Sequence, residues 1–410
     1  MSEPLSTDPY KGVRDFYPAD WARMQAMFSL IRETLAKWGY EEYNASPLER
    51  AELYEAKTSE EIVNEQTYTF TDRGDRKVTL RPEMTPTLAR MIAGKRRELA
   101  FPLRWFSIGN RFRYERPQKG RLREFYQADV DLIGLPEGEA DIEAVRLASE
   151  ILKAFGATEK DFVIRVNSRV LLNNACAEAG LKGGDVKQYL RLLDKKSKMR
   201  PEEFKSASET ISKKDPLSLI DEKPLKTFIA ELKKRGVENV VFDAGITRGF
   251  DYYTGMVFEV YDTDMANPRA IFGGGRYDKL VAFWGKDPIP AVGFALGDVT
   301  LADFLETHSL APALSASVPQ LYVGTPNEKD TPSAQSFADT LRKNGCRVFV
   351  NLTSRALGGQ IKDAVKRGIP YFVAYGADEV KNQTVRLKTL ATGEEIMLPV
   401  SELSVRIRAN

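Results

Sequence analysis

Arginines and carboxylates alternate with aromatic residues in one segment of the chain, FRYERPQKGRLREFYQADVDLIG (112–134). The aromatic residues favour strands on both flanks, and the Pro-Gln-Lys-Gly run between them is too long for a two-residue turn. We therefore predict a β-hairpin with a charged loop. Guanidinium groups beside aromatic faces on a rigid sheet suit the phosphates and base of a nucleotide. The same alternation also fits a cross-strand ladder of ion pairs on a solvated face, and the hairpin alone does not decide between the two.

The composition excludes several kinds of catalysis. Among 410 residues with a net charge of +2, the only histidine is His308, in a Ser/Ala/Pro-containing stretch that suggests a linker. Histidine triads, histidine-ligated metals and histidine general bases are therefore excluded, and we predict no metal-ligating residue. An enzyme of this composition would work by positioning and charge stabilisation, using Arg, Glu, Tyr and Mg²⁺.

The cellular compartment is predicted from the cysteines and from the lack of targeting and membrane-spanning segments. Two cysteines far apart, Cys176 and Cys346, fit a reducing environment and are predicted to be small buried residues. The N-terminal stretch has no signal-peptide pattern, and no apolar run reaches the roughly 18 residues of a membrane span. We expect a cytoplasmic chain that does not enter a membrane.

Hydrophobic periodicity and composition predict the secondary structure along the chain. Helices are predicted at 20–38, 48–57, 83–98 and 138–155, with strands between them. Residues 182–235 have 15 Lys/Arg against 9 Asp/Glu at helical spacing, which fits either a solvated helical surface or an RNA-facing one. Strand–helix alternation after residue 320 predicts a small mixed sheet with helices on its faces. The run Gly273–Gly275 predicts either a tight turn or a close backbone approach.

Four ordered motifs carry a resemblance to a known family. These are RPEMTPTLAR (81–90), FRYERPQKGRLREF (112–125), TRGFDYYTG (247–255) and GGGRYDKL (273–280). Together they resemble histidyl-tRNA synthetase, a class II aminoacyl-tRNA synthetase, over nearly the whole chain. The resemblance implies an α+β fold whose antiparallel sheet is flanked by helices. It implies a catalytic domain at 1–315 with a helical insertion at about 170–236, and an α/β anticodon-binding domain at 318–410.

The resemblance also implies a reaction and its partners. Histidine and ATP, with Mg²⁺, would give histidyl-adenylate, and the histidyl group would then pass to tRNA(His). A homodimer is expected, with Pro47 matching the proline that closes the dimer-forming first motif.

The site residues follow from the motif match. Arg113 and Arg248 resemble the catalytic arginines on the α-phosphate, where negative charge grows during the reaction. In the ATP site, Glu115 would lie at the adenine edge, Phe125 would stack on the base and Arg121 would reach the terminal phosphates.

For histidine, Glu83 would bind the α-amino group, with Thr85 close by. Carboxylate and hydroxyl acceptors suit an imidazole, which bears a donor. The residues that would surround the imidazole are Gln127, Asp131, Tyr253 and Tyr277. The tyrosines also fit a hydrophobic core, and Asp131 also fits a turn.

Two positions depart from the family pattern. Asp131 stands where bacterial members usually have glutamate. In the third motif, Val299 and Thr300 follow Gly297-Asp298 where the family has glutamate and then the arginine that binds the γ-phosphate. Loss of that guanidinium would cost roughly 2–4 kcal/mol of transition-state stabilisation unless another cation compensates. The candidates are Arg121, Arg123, Arg248 and Mg²⁺.

Two alternatives remain. A non-synthetase paralogue that binds histidine, resembling the regulatory subunit of ATP phosphoribosyltransferase, would be free to lose that arginine. However, it would have no reason to keep Arg113, Glu115, Arg121 and Arg248, and it usually lacks an anticodon module. A generic RNA-binding protein would leave the phosphate-directed arginines unexplained.

Overall fold

A computed structural model of the chain describes residues 5–55, 66–196, 199–247, 252–312 and 318–408. The chain divides into two compact units, Met1–Ala313 and Leu314–Asn410. In the described ranges, no helix combines the length and the apolar character needed to cross a bilayer.

The first unit contains a large sheet, a small sheet and the helices around them. Its strands are β1 (Glu41–Glu42), β2 (Leu48–Arg50), β3 (Tyr68–Thr71), β4 (Lys77–Leu80), β5 (Leu103–Phe112), β6 (Glu124–Ile133), β7 (Phe162–Ser168), β8 (Val240–Phe242), β9 (Met256–Asp262), β10 (Ala270–Arg276) and β11 (Ala291–Gly297). Its helices are α1 (Pro18–Lys37), α2 (Ala51–Glu55), α3 (Thr85–Lys95), α4 (Glu139–Ala154), α5 (Arg169–Glu178), α6 (Gly184–Asp194), α7 (Pro201–Ile211), α8 (Lys223–Lys234) and α9 (Asp298–Thr307).

The large sheet has eight strands in the order β1-β5-β6-β11-β10-β9-β7-β8. Among the described residues, its inner pairings are antiparallel and its edge strands β1 and β8 pair in parallel. Helices α1, α4, α8 and α9 bury their apolar sides in the core on one face of this sheet. The predicted antiparallel sheet flanked by helices is confirmed. β5 and β6 form the predicted hairpin, and β5 ends at Phe112.

The small sheet has the order β2-β4-β3 and corrects one predicted helix. Residues 48–57 were expected to be helical throughout, but Leu48–Arg50 is a strand and α2 begins only at Ala51. Leu48 pairs with Leu80 of β4, so hydrogen bonds to a distant strand override local helix propensity.

Helices α5 to α8 lie between β7 and β8. Leu172, Cys176, Tyr189 and Leu193 belong to a separate small core in this region. Leu225 and Leu232 of α8 instead join the main core, which anchors this helix beneath the large sheet.

The only histidine does not lie in a linker. His308 caps the C-terminus of α9, and its Nε2 lies 2.8 Å from Asp262 Oδ1. A carboxylate at the end of a distant strand therefore fixes this side chain, which local composition does not reveal.

The second unit has a five-stranded sheet in the order β13-β12-β14-β15-β16. β12 pairs in parallel with both neighbours, and the remaining pairs are antiparallel, so the sheet is mixed as predicted. The strands are β12 (Leu321–Gly324), β13 (Val348–Val350), β14 (Tyr371–Ala374), β15 (Thr384–Thr389) and β16 (Glu395–Pro399), with α10 (Thr331–Lys343), α11 (Leu357–Lys366), α12 (Ala377–Asn382) and α13 (Val400–Arg408).

Candidate active site

The alternation of side chains along β6 separates the core from the site. Ala128, Val130 and Leu132 belong to the main core. Because side chains alternate between the two faces of a strand, the odd-numbered residues Gln127, Asp129 and Asp131 lie on the opposite face. Three polar side chains therefore follow one another along the outer face of β6.

The glycines of β10 and β11 make room on the same face. Gly293 pairs with both Asp131 and Gly275, and a Cβ on Gly293 would lie 2.3 Å from Asp131 Oδ1. A Cβ on Gly275 would lie 3.0 Å from the ring of Tyr253. The glycine run is thus the middle of a strand that its neighbours approach closely, and the alternative of a tight turn is wrong.

A cavity of about 90 Å³ lies on this face and is lined by Gly293. Its lining includes every residue that the motif match assigned to the histidine-binding site. The lining residues are Glu83, Thr85, Arg113, Gln127, Asp129, Asp131, Tyr252, Tyr253, Tyr277, Gly293, Phe294 and Ala295.

Asp131 is the buried acceptor of this cavity. Tyr277 Oη donates a hydrogen bond to its Oδ1, whereas Oδ2 has no hydrogen-bond partner among the described residues. Burial raises the pKa of Asp131 to about 8, although the Tyr277 hydrogen bond opposes this shift. An unpaired buried acceptor is costly, so Oδ2 favours a ligand that supplies an N–H.

Glu83 is a second acidic residue of the lining and lies just before α3. Its side chain is buried, and Tyr252 Oη donates to its Oε2 at 3.0 Å. Burial and the Glu83 charge raise the pKa of Tyr252, which keeps its hydroxyl protonated and able to donate.

A buried ion pair supports the floor of the cavity. Arg111 Nη2 lies 2.5 Å from Asp129 Oδ2, and both side chains are almost completely buried. Removal of either partner would leave the other charge buried and unpaired. The intact ion pair therefore stabilises the β5–β6 hairpin beneath the site.

A second cavity, of about 190 Å³, adjoins the first and shares Arg113, Gln127 and Ala295 with it. Its lining includes the residues that the motif match assigned to the ATP-binding site, apart from Arg248. Its lining includes Glu115, Gly120, Arg121, Leu122, Phe125, Gly273, Gly297, Val299 and Thr300.

Arg113 stands where the two cavities meet. Its Nε donates to Pro82 O at 3.0 Å, and its guanidinium lies 5.2 Å from the centre of the Phe125 ring. Burial lowers its pKa, although the carboxylates of Glu83 and Glu115 oppose this shift. The guanidinium is therefore held in place at the junction by backbone and ring contacts.

The sequence-predicted residues come together in these two cavities, with one exception. Arg248 lies outside the described residues. Sequence reasoning missed Asp129 and Tyr252, which also line the first cavity. Their signals were present, since Asp129 lies two residues from Asp131 on the same strand and Tyr252 adjoins Tyr253.

Comparison with known families covers most of the chain. The histidyl-tRNA synthetase model matches residues 12–213 and 197–300, and an anticodon-binding domain model matches residues 320–410. The chain belongs to the histidyl-tRNA synthetase family. A histidine–tRNA ligase of Leptospira biflexa serovar Patoc is 38% identical, and the alignment covers 98% of each chain.

Solved structures of the family share this fold. The histidyl-tRNA synthetase of Nostoc sp. PCC 7120 is 25% identical, with a TM-score of 0.78 over 98% of this chain and 99% of that one. An ATP phosphoribosyltransferase regulatory subunit/histidyl-tRNA synthetase from Bacillus halodurans C is also 25% identical, with a TM-score of 0.70 over 92% of this chain and all of that one. The regulatory alternative is thus not better supported than the synthetase.

The departure from the family's third motif lies at the far end of the second cavity. Thr300 Oγ1 donates to Ile271 O at 2.6 Å, so this side chain closes against β10. Asp298 is buried, accepts from Tyr126 N at 2.8 Å and lies 2.6 Å from Arg14 Nη2. The start of α9 is therefore fixed to β6 and to the N-terminal segment.

Proposed function

We propose that the chain activates histidine with ATP and then transfers the histidyl group to tRNA(His). The observation that carries this proposal is the pair of adjoining cavities that meet at Arg113. One is small, with buried acceptors for an amino acid, and the other presents arginine and aromatic groups to a nucleotide.

The imidazole of histidine is proposed to bind Asp131 and Tyr277. An imidazole N–H would donate to Asp131 Oδ2, which lacks a partner among the described residues, and this contact would favour the ionised carboxylate over the protonated form that burial favours in the free protein. An amino acid without this donor would leave the carboxylate unpaired, which penalises it strongly. Glu83 would bind the α-ammonium group, and Thr85, Gln127 and Tyr253 would complete the pocket.

Adenylate formation would take place at the junction. A carboxylate oxygen of histidine attacks the α-phosphorus of ATP, the bond to the β-phosphate oxygen breaks, and pyrophosphate leaves. Arg113, already fixed there, would stabilise the charge that grows on the phosphoryl oxygens. Arg248 is proposed to act beside it, on the family pattern.

The remaining ATP contacts are assigned within the second cavity. Phe125 would stack on adenine, Glu115 would accept from its amino group and Arg121 would reach the terminal phosphates. Mg²⁺ would enter with ATP, since magnesium in such sites is bound largely by phosphate oxygens.

Transfer would follow with tRNA as the nucleophile. A hydroxyl of the terminal ribose attacks the histidyl carbonyl carbon, and AMP leaves. The second unit, which matches an anticodon-binding domain model, is proposed to bind the anticodon. The basic helices between β7 and β8 are proposed to face the RNA backbone.

We also propose a homodimer in the cytoplasm. Leu48, which follows Pro47, and Phe70 on another strand of the small sheet are both exposed, and exposed apolar side chains of this kind favour a protein contact. Both cysteines are free and buried, which fits a reducing compartment. Sedimentation of the purified chain would show a dimer, and Leu48→Glu would shift it towards monomer.

Histidine-dependent ATP–pyrophosphate exchange is the first test of the activity. We expect exchange with histidine and not with the other amino acids, together with charging of tRNA(His). Asp131→Asn should raise the KM for histidine, while Asp339→Asn on the exposed surface of α10 should not. Histidine binding without any exchange would contradict the proposal and favour the regulatory paralogue.

A further inference from the structure

A third cavity, of about 320 Å³, continues from the end of the proposed ATP cavity. The two share Gly120, Ile271 and Thr300. Thr300 occupies the position where the family pattern has its γ-phosphate arginine. The space beyond Thr300 is therefore continuous with the proposed nucleotide site.

Two cations line this third cavity. Lys119 Nζ donates to Ala266 O at 3.3 Å, and Arg269 Nη1 donates to Lys119 O at 3.3 Å. Both side chains are exposed, and both of these contacts are to carbonyl oxygens, which do not neutralise a positive charge. Asp303 also lines this cavity, and its carboxyl and Lys119 attract each other, so the positive charge of Lys119 is partly compensated. Arg269 forms no ion pair among the described residues and is therefore the cation better able to bind an anion in the cavity.

The other cations nearby make contacts of their own or already have an assigned role, as Arg121 does on the terminal phosphates. Arg121 is paired with Glu115 at 2.9 Å, and Arg113 stands at the opposite end of the second cavity. Arg123 is buried, with its guanidinium 3.9 Å from the centre of the Tyr114 ring and a hydrogen bond to Tyr10. Of the arginines and lysines that line the two cavities in the described part of the chain, Lys119 and Arg269 are those at the Thr300 end.

Arg269 is held by the structure on either side of it. It follows Pro268 and immediately precedes β10, whose residues line the second cavity. Two residues earlier, Asn267 Nδ2 donates to Asp262 Oδ2 at 2.8 Å, which fixes the turn. The contact with Lys119 O then joins this turn to the hairpin loop.

We propose that Arg269, assisted by Lys119, binds the terminal phosphates of ATP in place of the arginine absent at position 300. The proposal rests on the proposed function. Arg269 can bind two phosphate oxygens through its planar fork, and Lys119 adds a point charge. Both would also stabilise the pyrophosphate as it leaves.

Calorimetric binding of ATP and of AMP to the full chain separates a phosphate contact from a structural effect. Arg269→Ala should raise the Kd for ATP about 10- to 100-fold, the range for loss of a charge-assisted hydrogen bond. It should leave the Kd for AMP unchanged, because AMP lacks the β- and γ-phosphates. Lys119→Ala should show a smaller effect of the same kind. Lys95→Ala, which removes an exposed cation from the end of α3, serves as the matched control.

Equal affinity for ATP in the wild type and in Arg269→Ala would overturn the proposal, as would an equal loss for ATP and AMP. The proposed function fails separately, if the wild type shows no histidine-dependent pyrophosphate exchange.

Restoring the family arginine gives an independent test. Thr300→Arg in the Arg269→Ala background should recover most of the lost ATP affinity and exchange rate, because the new guanidinium would enter the same cavity. A double variant no better than Arg269→Ala, with an unchanged melting temperature, would contradict a shared phosphate site.

Discussion

Arg121 Nη1 lies 2.9 Å from Glu115 Oε2, so two side chains assigned to opposite ends of ATP are paired with each other. Glu115 is largely buried in this pair, whereas Arg121 is 41% exposed. The arginine can therefore turn towards solvent and phosphate more readily than the carboxylate can move. ATP binding would exchange this contact for one between Arg121 and a phosphate, and would leave Glu115 free for the adenine amino group.

Arg121→Ala is predicted to raise the KM for ATP by about tenfold or more, through loss of a charged phosphate contact. The unpaired Glu115 carboxylate would add repulsion, so Glu115→Gln in the same background should recover part of the loss. Pyrophosphate exchange at varied ATP concentrations measures this effect. Arg116→Ala, an exposed arginine of the same loop that lines neither cavity, is the control, and an equal effect there would contradict the assignment.

Some of this site could be predicted from the sequence because its signals are local. The aromatic and charged alternation predicted the β5–β6 hairpin, and the resemblance of the motifs to the family implied most of the residues that line the cavities. Asp129 was missed although it lies two residues from Asp131, because the sequence does not show which face of β6 is open. The inward face is fixed by packing of Ala128 and Val130 against helices far away in sequence.

Other features depend on contacts between distant segments. The sequence LERAELYE (48–55) consists largely of good helix formers, yet its first three residues pair with β4. The role of Arg269 depends on a carbonyl oxygen 150 residues away in sequence. Local propensity and spacing contain no information about such pairs.

The raised pKa of Asp131 predicts a pH-dependent stability. The folded-state pKa is about 8, above the value of roughly 3.9 expected for an unfolded aspartate. The folded chain therefore binds a proton that the unfolded chain releases, and stability falls as pH rises through this window. Asp131→Asn cannot ionise, so its melting temperature relative to the wild type should increase from pH 5 to pH 9. The difference should reach about a few kcal/mol of unfolding free energy at pH 9.

Thermal melting of both proteins over this pH range measures the difference. Asp339→Asn, an exposed substitution in α10, should show a constant offset. A constant offset for Asp131→Asn as well would show that this carboxyl has an ordinary pKa.

The Arg14–Asp298 pair is predicted to stabilise the first unit. Burial raises the pKa of Asp298, and Arg14 opposes that shift, so Arg14→Ala leaves an uncompensated buried carboxylate. We expect a loss of about 2–3 kcal/mol, somewhat below a fully buried pair because Arg14 is partly exposed. The loss should be larger at pH 8 than at pH 5, where protonation of Asp298 relieves the unpaired charge. Thermal or urea unfolding measures it, and Arg23→Ala, in an exposed pair with Asp20, should change stability little.

Gly293→Ala and Gly94→Ala are predicted to have opposite effects on the stability of the folded chain. At Gly293 the new Cβ would lie 2.3 Å from Asp131 Oδ1 and 2.5 Å from Val130 O, so β6 and β11 would have to separate. We expect a loss of roughly 1–3 kcal/mol from overpacking, together with a raised KM for histidine because Asp131 is displaced. At Gly94, near the exposed end of α3, no atom of the described residues outside the local helix backbone lies within 4 Å of the new Cβ, and alanine should stabilise the helix by about 0.5–1 kcal/mol. Melting temperatures and histidine KM values of the two variants test this contrast. An unchanged histidine KM in a folded Gly293→Ala protein would show that the close approach to Asp131 does not shape the pocket.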